Sequence, residues 1–226
     1  MEWAYGVTTV PERIGASLPR TLQSLAQAGF DRPRLFVDNC DDPKRYVERF
    51  GLEVTTHSPR IGAYGNWILA LGELYIRQPN AFRYAIFQDD CIASKGLRKY
   101  LESWYPIDLG YLNLYTFPCN QKLSDGKVGW YQSDQRGKGA VGLVFNRNAV
   151  LALITSKHAL TKPQDPVKGT KSIDGGIVTS FVKAGGREWV HNPSLLQHTG
   201  NSSTLGNDRH PLATSFRGES FDVSTL

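Results

Sequence analysis

The chain is 226 residues long, 40% hydrophobic and 21% charged, the profile of one globular domain, and no apolar run approaches the roughly 18 residues of a membrane span. Lysine and arginine exceed aspartate and glutamate by 26 to 21; the net charge of +5 favours anionic partners without choosing among nucleotide, nucleic acid and membrane surface. Cys40, Cys91 and Cys119 are odd in number and widely spaced, with no Cys-x-x-Cys pair to suggest zinc or redox chemistry, which points to a reducing, intracellular setting; an N-terminus carrying Glu2 does not read as a secretion signal, so a soluble, cytoplasmic protein is expected.

In chain order, short apolar runs predict strands at 3–10, 34–39, 52–57, 83–88, 110–115 and 141–146. Helices are predicted between and after them, at 17–28, 43–50, 63–77, 94–104, 147–156 and 173–184. In the first helix Leu18, Leu22 and Leu25 recur at helical spacing, and Gly29 stands where a C-terminal glycine would end it. Strands and helices taking turns predict a single α/β domain, 1–226, with a mostly parallel sheet covered on both faces. The alternation weakens after about residue 157, and 191–226, rich in Ser, Thr, Asn and Gly, reads as an irregular segment laid over the domain or partly disordered.

Ligands of open parallel sheets bind beyond the carboxyl ends of the strands. There the sequence places Thr8 and Thr9, then Asp38 and Asn39, then Asp89 and Asp90. The stretch after the first strand, TTVPERIG, has neither GxGxxG spacing nor a Walker lysine, which argues against a dinucleotide dehydrogenase or P-loop ATPase. Two adjacent carboxylates without such a loop suit a diphosphate held through a divalent cation with hard oxygen ligands; an Asp-Asp pair also serves as a solvated turn or helix cap.

The run FQDDC, 87–91, resembles the DxD-type motif of nucleotide-sugar glycosyltransferases with the GT-A fold, a Rossmann-like single domain. That resemblance implies Asp90 as ligand of Mn2+ or Mg2+ on the diphosphate and Asp89 as a ribose or sugar contact. Gln88 stands where some members have a further acid. Other segments follow in the family's order. The stretch 8–25 is similar to the opening strand and helix, implying Thr8, Thr9 and Arg13 as donor contacts; VDN supplies Asp38 for base or ribose; RIGAYGNWILAL, 60–71, resembles a Gly-x-x-x-Asn segment that sets Asn66 near the nucleotide.

Asp174 falls in the first turn of the helix predicted at 173–184, where the helix dipole favours a carboxylate in any protein. By resemblance it is the general base for an acceptor hydroxyl, which implies inversion of configuration. The segment NPSLLQHTGNSST, 192–204, resembles one in the N-acetylglucosaminyltransferases that branch N-glycans. It implies His198 as second metal ligand and Ser202 and Ser203 as diphosphate contacts, so the C-terminal segment would contribute to the active site. Imidazole completes metal sites begun by carboxylates.

The stretch 116–140 interleaves Lys122, Lys127, Arg136 and Lys138 with Trp130 and Tyr131, a composition able to follow a phosphate backbone and stack on a base, and 156–171 adds Lys157, Lys162, Lys168 and Lys171. Solvated loops have the same composition. In type the chain is similar to small bacteriophage glycosyltransferases that decorate hydroxymethylated pyrimidines in DNA. That resemblance implies a UDP-sugar donor, a 5-hydroxymethylcytosine acceptor contacted by Trp130, Tyr131 and Lys138, and a bacterial cytoplasm as the setting. The competing readings are a glycan, lipopolysaccharide or protein acceptor, a non-catalytic nucleotide-binding module, and a metal-dependent phosphoesterase.

Overall fold

The computed structural model of the chain describes residues 2–105, 109–161, 173–199 and 211–226. The strands are β1 Trp3–Thr9, β2 Arg34–Asp38, β3 Val54–His57, β4 Arg83–Gln88, β5 Cys91–Ala93, β6 Gly110–Asn113, β7 Gly129–Gln132, β8 Gly142–Asn146, β9 Arg187–Asn192 and β10 Leu196–His198. The helices are α1 Leu18–Gln27, α2 Lys44–Phe50, α3 Gly62–Arg77, α4 Leu97–Glu102, α5 Pro118–Gln121, α6 Arg147–Ile154, α7 Lys157–Leu160 and α8 Ile173–Lys183.

Eight strands form one sheet in the order β3-β2-β1-β4-β8-β6-β9-β7, and β5 with β10 forms a small second sheet. Strands β1 to β4, β6 and β9 run one way; β8 and β7 run against them. The expected mostly parallel α/β sheet is therefore the observed one. Its centre, β4, is apolar on both faces from Tyr84 to Phe87 because helices cover both sides. One core cluster runs from Val7, Leu18 and Leu25 to Leu112 and Val144; the other gathers Trp67, Leu71, Tyr84, Ile86 and Phe145 under α3 and α6.

Local chemistry sets the element ends. Helix α1 begins with Pro19 in its first turn and ends where Gly29 adopts φ +99°, so that the Phe30 N–H reaches back to the Leu25 carbonyl at 2.8 Å. At Gly6 in β1 a Cβ would lie 2.5 Å from the Phe36 ring, so the missing side chain lets β2 pack its phenylalanine against the neighbouring strand.

The structure departs from the sequence expectations in three places. The helix expected at 94–104 is confined to 97–102, because Cys91–Ala93 pairs antiparallel with Leu196–His198 first. The basic stretch 116–140 contains an edge strand, β7, paired with β9. The C-terminal part is not irregular throughout, since β9 ends at Asn192 and β10 is a strand; the described residues 211–226 are irregular apart from a 3-10 turn at Val223–Thr225 and lie over the first core cluster through Ala213, Phe216, Phe221 and Val223.

At the end of β9 the buried His191 is fixed as a neutral tautomer. Its Nδ1–H donates to the Pro193 carbonyl at 2.7 Å and its Nε2 accepts from the Tyr100 hydroxyl at 2.7 Å. Burial pulls its pKa down from 6.5 to about 4, against the smaller opposing effect of the Pro193 bond. A depressed folded-state pKa stabilises the fold fully above the unfolded value and loses that contribution as pH falls from 6.5 through about 4. Chemical denaturation should therefore show the wild type losing on the order of 3 kcal/mol over that window relative to its His191→Gln variant.

Candidate active site

The carboxyl ends of β1, β2 and β4 open into a cleft of about 340 Å³ lined by Thr8, Thr9, Arg13, Asp38, Arg60, Asn66, Gln88, Asp89, Asp90, Ile173 and His198, among others. Eight of the residues predicted from the sequence thus meet in one place: Thr8, Thr9, Arg13, Asp38, Asn66, Asp89, Asp90 and His198. Parallel pairing of β1 with both β2 and β4 brings their ends level, with Thr8 opposite Gln88 and Thr9 opposite Val37.

The two carboxylates at the end of β4 occupy different surroundings. Asp89 is buried and accepts a 2.5 Å hydrogen bond from the Thr9 hydroxyl. Burial, and then the adjacent charge of Asp90, push its pKa up to about 6, with the Thr9 bond opposing them. Asp90 Oδ2 lies 3.3 Å from His198 Nε2 and 3.7 Å from Arg13 Nη1. The small second sheet produces this meeting: β10 pairs with β5 so that His198 stands opposite Cys91, and the Asp90 carbonyl accepts from both the N–H and the hydroxyl of Thr199, at 2.7 and 2.9 Å.

Asp38 and Asn66 line the cleft while holding its wall. The Asp38 carboxylate accepts from the Ile61 and Gly62 N–H groups at 2.9 and 2.8 Å, satisfying donors at the start of α3. The Asn66 amide donates to the Phe36 carbonyl at 3.0 Å and accepts from His57 Nδ1 at 3.0 Å. Arg60, to which sequence reasoning gave no role, stands with its Nε 3.9 Å from Asp38 and its side chain half exposed to the cleft. The signal lies in the sequence, since Arg60 opens the segment, 60–71, that carries Asn66.

Asp174 sits in the first turn of α8, one residue beyond Ile173 of the cleft wall. Its Oδ2 accepts the Gly139 N–H at 2.8 Å and its Oδ1 accepts the Gly175 N–H at 3.0 Å.

The three residues expected from the sequence to contact an acceptor lie away from the cleft lining. Trp130 stacks on Trp104 at 5.3 Å and 9° and meets His191 edge-on; the Tyr131 hydroxyl donates to the Asn120 carbonyl at 3.0 Å; the Lys138 ammonium lies over the Phe117 ring. Ser202 and Ser203, like Lys162, Lys168 and Lys171, fall outside the described residues.

Among the described residues no group of three or more His, Cys, Asp or Glu side chains forms a self-sufficient metal cage. Asp90 and His198 are two donors of the kind a divalent cation takes when its remaining ligands come from water and substrate phosphates. Arg13 and Arg60 add positive charge on the same cleft, as a diphosphate would require.

No family model matches the chain, and no curated protein matches it either. Solved structures do. The structure of GalNAc-T7 with UDP, GalNAc and Mn2+ aligns over 84% of this chain and 42% of its own, with 12% identity and a TM-score of 0.55. The chain has a GT-A-like fold. It spans less than half the length of GalNAc-T7. Lower likenesses include a Drosophila β1,4-galactosyltransferase 7 mutant with manganese, UDP-Gal and xylobiose (TM-score 0.47, 12% identity, 93% of this chain and 76% of that one). Another is mannose-1-phosphate geranyltransferase from Thermus thermophilus (0.49, 12%, 84% and 74%). In the GT-A-like frame the cleft lies at the carboxyl edge of the parallel strands, where open α/β sheets bind their ligands.

Proposed function

We propose that the chain is a divalent-metal-dependent glycosyltransferase that moves a sugar from a nucleotide-sugar, a UDP-sugar foremost, to an acceptor hydroxyl with inversion. The observation that carries the reading is the meeting of Asp90 and His198, 3.3 Å apart, at the end of β4 and beside Arg13. Asp90 and His198 would hold Mn2+ or Mg2+, which neutralises charge on the departing nucleoside diphosphate.

The chain's own residues supply the rest. Arg13 faces the diphosphate, with Ser202 and Ser203 assigned to the same group from the sequence. Thr8, Asp38 and Asn66 shape the nucleotide end of the cleft, and Thr9 holds Asp89 toward ribose or sugar. Asp174, held by two backbone N–H groups, removes the proton from the acceptor hydroxyl, a role in which placement counts for more than basicity.

For the acceptor, the reading of 5-hydroxymethylcytosine in DNA rests on the likeness in type to small bacteriophage glycosyltransferases, with which the net charge of +5 and the basic residues of 116–140 and 156–171 agree. Its stacking platform is weakened, because Trp130 already stacks on Trp104 and the Tyr131 hydroxyl is engaged. A glycan, lipopolysaccharide or protein hydroxyl is the competing acceptor. Binding of hydroxymethylated duplex DNA that falls about a thousandfold or more between 50 and 200 mM salt would favour DNA, since phosphate contacts release counterions. The reading as a whole is tested by calorimetric titration of UDP with and without Mn2+. Gln88 on the cleft wall favours a second reading, a donor-binding module without turnover, for which metal-dependent UDP binding would come with no transfer or donor hydrolysis.

A further inference from the structure

We propose that Glu188, fully buried on β9, is the positioning residue for Asp174, acting through the loop that follows β7. The inference rests on the reading of Asp174 as the general base.

The Glu188 carboxylate collects three side-chain donors. Tyr111 Oη and Asn113 Nδ2 donate to Oε1 at 2.8 and 3.1 Å, and Ser133 Oγ donates to Oε2 at 2.5 Å. Its backbone brackets Gln135, two residues further along the loop: the Glu188 N–H donates to Gln135 Oε1 and the Glu188 carbonyl accepts from Gln135 Nε2, both at 2.9 Å. Gln135 is held at φ 57°, a left-handed conformation that a side chain other than glycine takes only when its surroundings impose it.

The far end of the same loop touches the base. Asn113 Nδ2, shared with Glu188, also donates to the Lys138 carbonyl at 3.0 Å, and the next N–H, that of Gly139, is the one that donates to Asp174 Oδ2. Gly137 packs so closely that a Cβ there would lie 2.4 Å from the Asp174 carbonyl oxygen. The path from Glu188 to the donor that orients Asp174 therefore runs through Asn113 and the Lys138–Gly139 peptide, while Ser133 and Gln135 anchor the other end of the same loop to Glu188. Burial holds the Glu188 pKa up while its three donors favour the ionised form; the Asp174 charge also raises it, which sets the two carboxylates within electrostatic reach.

A fully buried carboxylate is an expensive way to stabilise a sheet, and well-packed apolar residues often do so as well or better. What it does that they cannot is to fix the loop by direction. Glu188→Gln is nearly isosteric but turns an N–H2 group toward Ser133 Oγ, which already accepts from Gln135 N at 3.0 Å and Nε2 at 3.1 Å. The foot of the loop then meets donors only.

The test is turnover of UDP-sugar donor for wild type, E188Q, D174N and the double variant, with the Kd of Mn2+-UDP measured on each. The expected result is a kcat at least tenfold lower in E188Q with donor KM and Mn2+-UDP affinity within twofold, and a double variant no slower than D174N alone. A kcat for E188Q within twofold of wild type beside a slow D174N would overturn the positioning role and leave the base assignment standing; so would a loss in E188Q that multiplies with that of D174N. A D174N enzyme with wild-type turnover would instead remove the base assignment and the positioning role with it. Should E188Q fail to fold, Ser133→Ala removes the loop's bond to Glu188 Oε2 together with the acceptor for Gln135 N and Nε2 while leaving the carboxylate in place, and the same split between kcat and donor KM is expected of it.

Discussion

Replacing Asp90 with alanine should abolish the metal-dependent part of UDP binding, weakening UDP in the presence of Mn2+ by at least ~100-fold, or ~2.7 kcal/mol. The size follows from how few ligands the site has. With Asp90 and His198 as the protein's contribution, removing one carboxylate leaves an imidazole and whatever the diphosphate brings, too little to compete with water for a hard cation. The neighbourhood makes the experiment selective. Arg13 Nη1, now 3.7 Å from Asp90, keeps its charge in the variant and gains freedom to face phosphate, so metal-free UDP should bind Asp90→Ala as well as it binds wild type, or better. Calorimetry with and without Mn2+ reads both numbers. A general collapse of the cleft would lower the two together, whereas loss of a ligand lowers only one. Equal Mn2+-UDP affinity in wild type and variant would remove Asp90 from the metal site.

Much of this cleft could be read from the sequence because its walls are strand ends. Strands β1, β2 and β4 are nearly continuous apolar runs, so hydrophobicity alone marks where each stops, and Thr9, Asp38 and Asp89 stand at or just beyond the stops. The other half obeys different physics. Strands β5 and β10 are three residues each, too short for any period, and exist because they pair with one another. Strand β9 reads Arg-Glu-Trp-Val-His-Asn, four polar residues in six. Three of those four are buried, with Glu188, His191 and Asn192 satisfied by specific partners rather than by an apolar face. A hydropathy pattern cannot register burial achieved by hydrogen bonding, and so β9 carries no strand signal in the sequence. His198 was found through its neighbours in sequence, but its distance from Asp90 required the pairing of β5 with β10.

The second large effect is expected at Asp174, where substitution by asparagine should lower the transfer rate by ~10²–10⁴ while leaving donor affinity unchanged. The competing account is structural: an acid in the first turn of an eleven-residue helix complements the helix dipole and accepts two backbone N–H groups. That account predicts a cost in stability, about 0.3–1 kcal/mol for the dipole and on the order of 1 kcal/mol for the bond that an amide cannot accept. It predicts nothing for the rate of a folded protein. Thermal denaturation and turnover on the same Asp174→Asn preparation therefore separate the two. A melting point lowered by a few degrees with turnover intact would make Asp174 a helix cap, and the inference of inversion, which has no other support, would go with it. Turnover lost at nearly constant stability and donor KM would assign to Asp174 the proton of the acceptor hydroxyl. The stereochemistry of the product then offers an independent check, because a base that activates the acceptor for direct attack requires the opposite anomer to that of the donor.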